Sequence, residues 1–207
     1  MSLVVIIHSA DIGVICSDGR ISEPVPNGSR LVKREDSPKF SEISPGLVIA
    51  ATGRLDLCED VVELSRQIAQ TELEPSNRFS VVADRLAAIG EHAVNMYPER
   101  GPRVRVSAAL LGYDPRADRM RCITISSADS FRSFEGEQQW NLHVLGDEGA
   151  ISEALQVASD AFCSLSEFTT LHLTRALCSV IAHVARNHVG INDICFTKVL
   201  TRPPPHA

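Results

Sequence analysis

The feature that most restricts this chain's fold is the order in which its hydrophobic periodicity changes. Strand-like and helix-like stretches come in blocks: strands, two helices, strands, two helices and a closing strand. Residues 2–22 open the first block. Leu3 to Ile7 and Gly13 to Cys16 are apolar runs rich in β-branched residues and too short for buried helices, so they predict two strands joined tightly at Ser9-Ala10-Asp11. Residues 22–38 are polar and carry Pro24, Pro26, Asn27-Gly28 and Pro38, which predicts an exposed loop. Strands are expected over Lys39 to Ile43 and Leu47 to Ala51, on either side of Pro45-Gly46.

The period then changes. Leu57, Val61, Leu64 and Ile68 recur at helical spacing and predict an amphipathic helix over 56–70. Phe79, Val82, Leu86, Ile89, Ala93 and Met96 predict a second, stopped by Pro98 and Gly101. Arg103 to Leu111 and Met120 to Ile125 read as strands paired across Gly112-Tyr113-Asp114-Pro115, and 127–139 is polar without clear periodicity. Leu142 to Leu145 predicts a strand, with Asp147 placed to cap a helix over 147–162 whose buried side is Ile151, Leu155, Ala158 and Phe162. Ser164-Leu165-Ser166-Glu167 matches a capping box opening a longer helix with Leu173, Leu177, Val180, Ile181 and Val184. Ile191 to Leu200 is the last expected strand, and a Pro-rich tail over 201–207 is expected to be disordered. Consecutive amphipathic helices each need an apolar partner. The expected class is therefore α+β, a single domain over 2–200 in which two antiparallel sheets lie face to face with a helical layer outside each.

Composition narrows the function. A net charge of −6 over 207 residues, with no cluster of basic residues, argues against nucleic acid as a partner. No apolar run approaches the ~20 residues of a membrane span, and the N-terminus lacks a signal peptide's basic and apolar regions, so a soluble cytoplasmic protein is expected. The six cysteines are scattered without a CxxC pair and read as buried small hydrophobes.

The chemistry concentrates at the start. Only Met1 precedes Ser2, and methionine is commonly trimmed before so small a residue; trimming would put a hydroxyl and a free α-amine on one residue, a nucleophile with its own base. With Ser2 leading the first strand, Asp18-Gly19 closing the second, Lys39 opening the third, and Gly53 fourteen residues beyond Lys39, the chain resembles the proteasome β-subunit family, particularly its bacterial HslV branch. Leu145-Gly146-Asp147-Glu148-Gly149 is similar to that family's glycine-rich entry to its third helix, and Asp193-Ile194-Cys195 to a tripeptide in the last strand of the HslV branch.

The resemblance covers about residues 2–198 and implies the four-layer fold of the N-terminal-nucleophile hydrolases. It implies Ser2 as nucleophile in place of the family's threonine, Asp18 and Lys39 as its charged partners, and Gly53 as the oxyanion-hole glycine. Arg20, Asp147 and Asn187 would form the supporting shell. The implied activity is cleavage of unfolded polypeptide inside stacked homo-oligomeric rings, fed by an ATP-driven unfoldase, with no cofactor and no metal. Two positions depart from the pattern: Asp147 stands where the family has a serine, and Asn187 where it has an aspartate. A ring-forming subunit without activity, or an amidase acting on small amides, is the alternative.

Overall fold

The computed structural model describes residues 2–24, 30–97 and 105–204. Packing of the backbone divides the chain into two compact units, the first Met1–Ile7, Val14–Lys39 and Leu142–Val199, the second His8–Gly13, Phe40–Asn141 and Leu200–Ala207.

The first unit is organised on a sheet whose strands are β1 (Leu3–His8), β2 (Ile12–Asp18), β10 (Asn141–Gly146) and β11 (Cys195–Thr201), in the order β10-β1-β2-β11. Both opening strands are buried almost throughout, which is why they read as continuous apolar runs. The turn between them closes with the Ser9 N–H donating to the Ile12 carbonyl at 2.8 Å. The helices of this unit are α3 (Glu148–Cys163) and α4 (Thr170–Asn187). Leu173, Leu177, Val180, Ile181 and Val184 form the buried stripe of α4. On α3 the buried positions are Ala150, Ala154 and Ala158, small residues at four-residue steps that allow a close approach; of the expected stripe only Ala158 is buried, Ile151 and Phe162 being half-buried and Leu155 exposed.

The second unit holds the five-stranded antiparallel sheet β5 (Phe40–Ser44), β6 (Leu47–Gly53), β7 (Val106–Asp114), β8 (Arg119–Ser126) and β9 (Phe134–Glu135), in that order. Register aligns Ile49, Leu110 and Ile123 in one row and Ala51, Ala108 and Ile125 in the next. These rows share a core with Leu57 and Val61 of α1 (Leu55–Thr71) and with Phe79, Val82, Leu86 and Ile89 of α2 (Arg78–Asn95). The expected stripe of α2 is buried from Phe79 to Ala93 but not at Met96, which is exposed, and on α1 Leu57 and Val61 are buried while Leu64 and Ile68 are half-buried.

Five further expectations need correction. The segment 22–38 is not a plain loop: β3 (Ile21–Pro24) pairs antiparallel with β4 (Arg30–Arg34). A two-stranded ribbon needs no apolar face, so hydrophobic pattern gave no sign of it, and Pro24 ends its strand where a missing N–H is tolerated; residues 25–29 lie outside the described residues. The Ser164–Glu167 box does not open α4. Ser164 instead closes α3, its Oγ donating to the Ala161 carbonyl at 2.7 Å, and Thr169 caps α4 by accepting the His172 N–H. Asp147 occupies the N-cap position of α3, but its carboxylate makes no capping hydrogen bond. The expected tail starts too early: Thr201 belongs to β11, and Arg202 is pinned by its N–H to the Asp11 carbonyl at 2.8 Å. Last, the cysteines are not uniformly buried; Cys163 is exposed, and Cys58, Cys178 and Cys195 are half-buried. Pro98, Gly101 and the first two residues of the expected strand from Arg103 lie outside the described residues.

Candidate active site

The candidate residues of the first unit converge where β1 begins and β2 ends. Asp18, the last residue of β2, is fully buried. Its Oδ1 accepts the Leu3 N–H at 2.7 Å and its Oδ2 accepts the Arg20 N–H at 2.9 Å. The first of these bonds ties the carboxylate to the residue that follows Ser2. Burial pushes the Asp18 carboxyl above its ordinary value, opposed by the Leu3 N–H, by the positive charge of Lys39 and by the Arg20 N–H. Main-chain donors and a nearby cation are thus what offset the cost of a buried carboxylate.

Lys39 is held at both ends. Its main-chain N–H donates to Ser17 Oγ at 3.1 Å, and its ammonium donates to the Arg20 carbonyl at 2.6 Å. Arg20 therefore contributes through its backbone to both charged partners. Its guanidinium points elsewhere, to the Val189 carbonyl at 2.6 Å and to Glu35 at 2.7 Å. This joins the β2 end to the loop after α4.

Gly19 sits inside a second bracket. Its N–H donates to Asn192 Oδ1 at 2.8 Å, and Asn192 Nδ2 donates to the Glu35 carbonyl at 2.9 Å. A Cβ on Gly19 would lie 2.5 Å from the Glu35 carbonyl oxygen and 2.8 Å from the Phe196 ring, so only glycine fits here. Neither Ser17 nor the buried Asn192 was marked by its sequence context. Nothing in Gly190-Ile191-Asn192-Asp193 distinguishes that asparagine from ordinary turn chemistry.

Of the remaining candidates, Gly146 and Asp147 follow β10. A Cβ on Gly146 would stand 2.5 Å from the Ser2 carbonyl oxygen, so this glycine sets how closely the β10 end approaches Ser2. Asp147 is exposed. Asn187, the last residue of α4, donates to Glu153 of α3 at 2.6 Å, and His188 Nε2 lies 2.9 Å from the same carboxylate. Gly53 belongs to the second unit, at the end of β6 with φ +129°, where a Cβ would meet the Arg105 carbonyl at 2.2 Å. Its conformation is one that only glycine adopts comfortably.

No protein-family profile matches the sequence, and no curated protein matches it. Among solved structures, the chain is similar to a eukaryotic HslV from Trypanosoma brucei, with a TM-score of 0.64 over 96% of this chain and 99% of that one. The backbone has the HslV fold. At 14% identity the likeness concerns architecture, and it agrees with the α+β arrangement of two antiparallel sheets and four helices seen here. Among the described residues, no helix is long and apolar enough to cross a membrane.

Proposed function

We propose that this chain is a proteasome-like N-terminal-nucleophile peptidase with Ser2 as its nucleophile. The observation that carries this reading is the cluster directly behind Ser2. Asp18 binds the Leu3 and Arg20 N–H groups while the Lys39 ammonium binds the Arg20 carbonyl. A serine hydroxyl is a weak nucleophile until a base takes its proton. Processing that ends immediately before Ser2 frees an α-amine with an ordinary pKa of ~7.7–8.0, partly neutral near pH 7. The charge of Lys39 disfavours the protonated amine, and Asp18 holds that charge in place.

The steps balance as follows. Ser2 Oγ bonds to the scissile carbonyl carbon as its proton passes to the α-amine. The C–N bond then breaks, and the departing amine takes that proton. Water next attacks the Ser2 ester, giving a proton to the α-amine, and Oγ recovers it as the carboxylic acid leaves. Arg20 positions Lys39 and Asp18 through its backbone. Stacked homo-oligomeric rings, unfolded polypeptide as substrate and an ATP-driven unfoldase as partner belong to this reading.

A second reading, a ring subunit without activity, is favoured by Asn187, whose side chain is bonded to Glu153 on α3. Two measurements separate the two. Intact mass reports whether the chain starts at Ser2, and an electrophile that traps N-terminal hydroxyl nucleophiles reports whether Ser2 reacts. The peptidase reading expects a chain beginning at Ser2, stoichiometric labelling there, and loss of both labelling and peptide hydrolysis in Ser2→Ala. A chain that keeps its first methionine, or hydrolysis unchanged in Ser2→Ala, overturns it.

A further inference from the structure

Three of the cysteines that lie far apart in sequence meet inside the first unit. Cys16 comes from β2, Cys178 from α4 and Cys195 from the first position of β11. Cys195 Sγ stands 2.8 Å from both Cys16 Sγ and Cys178 Sγ, and the Cys16–Cys178 pair is 3.8 Å apart. All three are free thiols. Cysteines that serve only as small hydrophobes have no reason to converge from two strands and a helix onto one shared sulfur. Burial is graded across the group: Cys16 is buried, whereas Cys178 and Cys195 are half-buried and reachable from solvent.

We propose that Cys16, Cys178 and Cys195 form a three-thiolate site for a thiophilic metal ion of the zinc class. Zinc–sulfur bonds of ~2.3 Å around a tetrahedral ion put the sulfurs about 3.8 Å apart. The Cys16–Cys178 pair already has that separation. Opening the other two pairs needs only a shift of Cys195, which starts its strand. Binding forms three metal–sulfur bonds and releases the three thiol protons to solvent, with no change of oxidation state. Cys178 and Cys195 are half-buried rather than buried, so water is the natural remaining ligand. The bound ion would clasp α4 to β2 and β11, two residues from Asp18. This site stands apart from the peptidase reading, since its test does not use peptide turnover.

The test uses the full reduced chain carrying Cys163→Ser, which removes the exposed competing thiol, with Cd(II) as optical probe and Zn(II) as physiological analogue. The expected result is one Cd(II) per chain with a sulfur-to-metal charge-transfer band, lost in Cys195→Ser and in Cys178→Ser. Zn(II) at a hundredfold excess over its Kd should raise Tm by about 5–10 °C. Should either variant fail to fold, the parent chain decides. Zn(II) must protect Cys16, Cys178 and Cys195 together from alkylation, as read by peptide mass, while Cys58 is unaffected. Absence of the band, protection of fewer than all three thiols, or isolation of a Cys195 disulfide that after reduction still takes up no metal would overturn the proposal.

Discussion

Strand β2 ends at Asp18 and strand β7 ends at Asp114; both carboxylates are buried, 0% and 2% exposed, and each lies in a different unit of the molecule. The surroundings diverge from there. Asp114 accepts the Arg116 N–H at 3.0 Å and is paired at 2.5 Å with Arg121, which also grips Glu135 and stacks over the Phe79 ring. Asp18 is held by main-chain N–H groups with the charge of Lys39 nearby, and the Lys39 ammonium donates to the Arg20 carbonyl. A planar guanidinium shared between two carboxylates forms a fixed fork whose charge is consumed locally. An ammonium bound to a carbonyl is a compact charge that still acts on its neighbours. The first arrangement suits a structural clamp that secures the end of a hairpin. The second suits chemistry on the adjoining residue.

The sharpest way to break this comparison is Lys39→Met. The peptidase reading expects peptide hydrolysis and Ser2 labelling to fall by about 10²–10⁴-fold, the range of a lost acid–base partner. Tm should fall as well, because buried Asp18 loses the positive charge that offsets its burial, so the deciding quantity is activity per folded molecule. A collapse of Tm with activity per folded molecule unchanged would make Lys39 structural, like Arg121. The mirror experiment is Arg121→Ala, which leaves Asp114 buried without its cation. It should cost about 2–4 kcal/mol, or on the order of 5–15 °C in Tm, without lowering activity per folded molecule. Thermal scans beside active-site titration read both quantities.

A finer contrast comes from the paired isosteres Asp18→Asn and Asp114→Asn. Each loses about 1–3 kcal/mol because an acceptor facing donors is weakened, as chemical denaturation would measure. Only Asp18→Asn should also suppress Ser2 labelling. The smallest effect concerns pH. Arg121 holds the Glu135 carboxyl below its ordinary value. A depressed carboxyl contributes stability that is complete above its unfolded value near 4.5 and is lost as pH falls through its lower folded value. Glu135→Gln should therefore lower stability by a constant amount above pH 6 and flatten the fall of the profile below pH 4.5.

Legibility along the chain followed the strength of the local pattern. The opening strands, both helical stripes of the second unit and the α4 stripe were readable because burial of one face leaves a periodic trace. The β3–β4 ribbon left none, because its pairing rests on backbone hydrogen bonds that any residue supplies. The α4 start was misread because a Ser-x-x-Glu spacing says that a cap is possible, whereas the position of Leu173 in the core decides where the helix begins. In the candidate site, Ser2, Asp18 and Lys39 stood out by type and spacing, while Ser17 and Asn192 did not. A side chain that binds only backbone imposes no pattern on its neighbours.

Taken alone, the sequence determined which stretches must bury an apolar face, and hence the order of strands and helices, together with an acid, a lysine and glycines at suggestive intervals behind Ser2. Tertiary structure decided which donors hold Asp18, where the Lys39 ammonium rests, and that Cys16, Cys178 and Cys195 share one place. The physical reason is range. Periodicity records the contact of each residue with a surface, and it is written locally along the chain. Hydrogen bonds and sulfur contacts between residues 15 to 179 positions apart depend on how whole elements dock, and no local pattern carries that information.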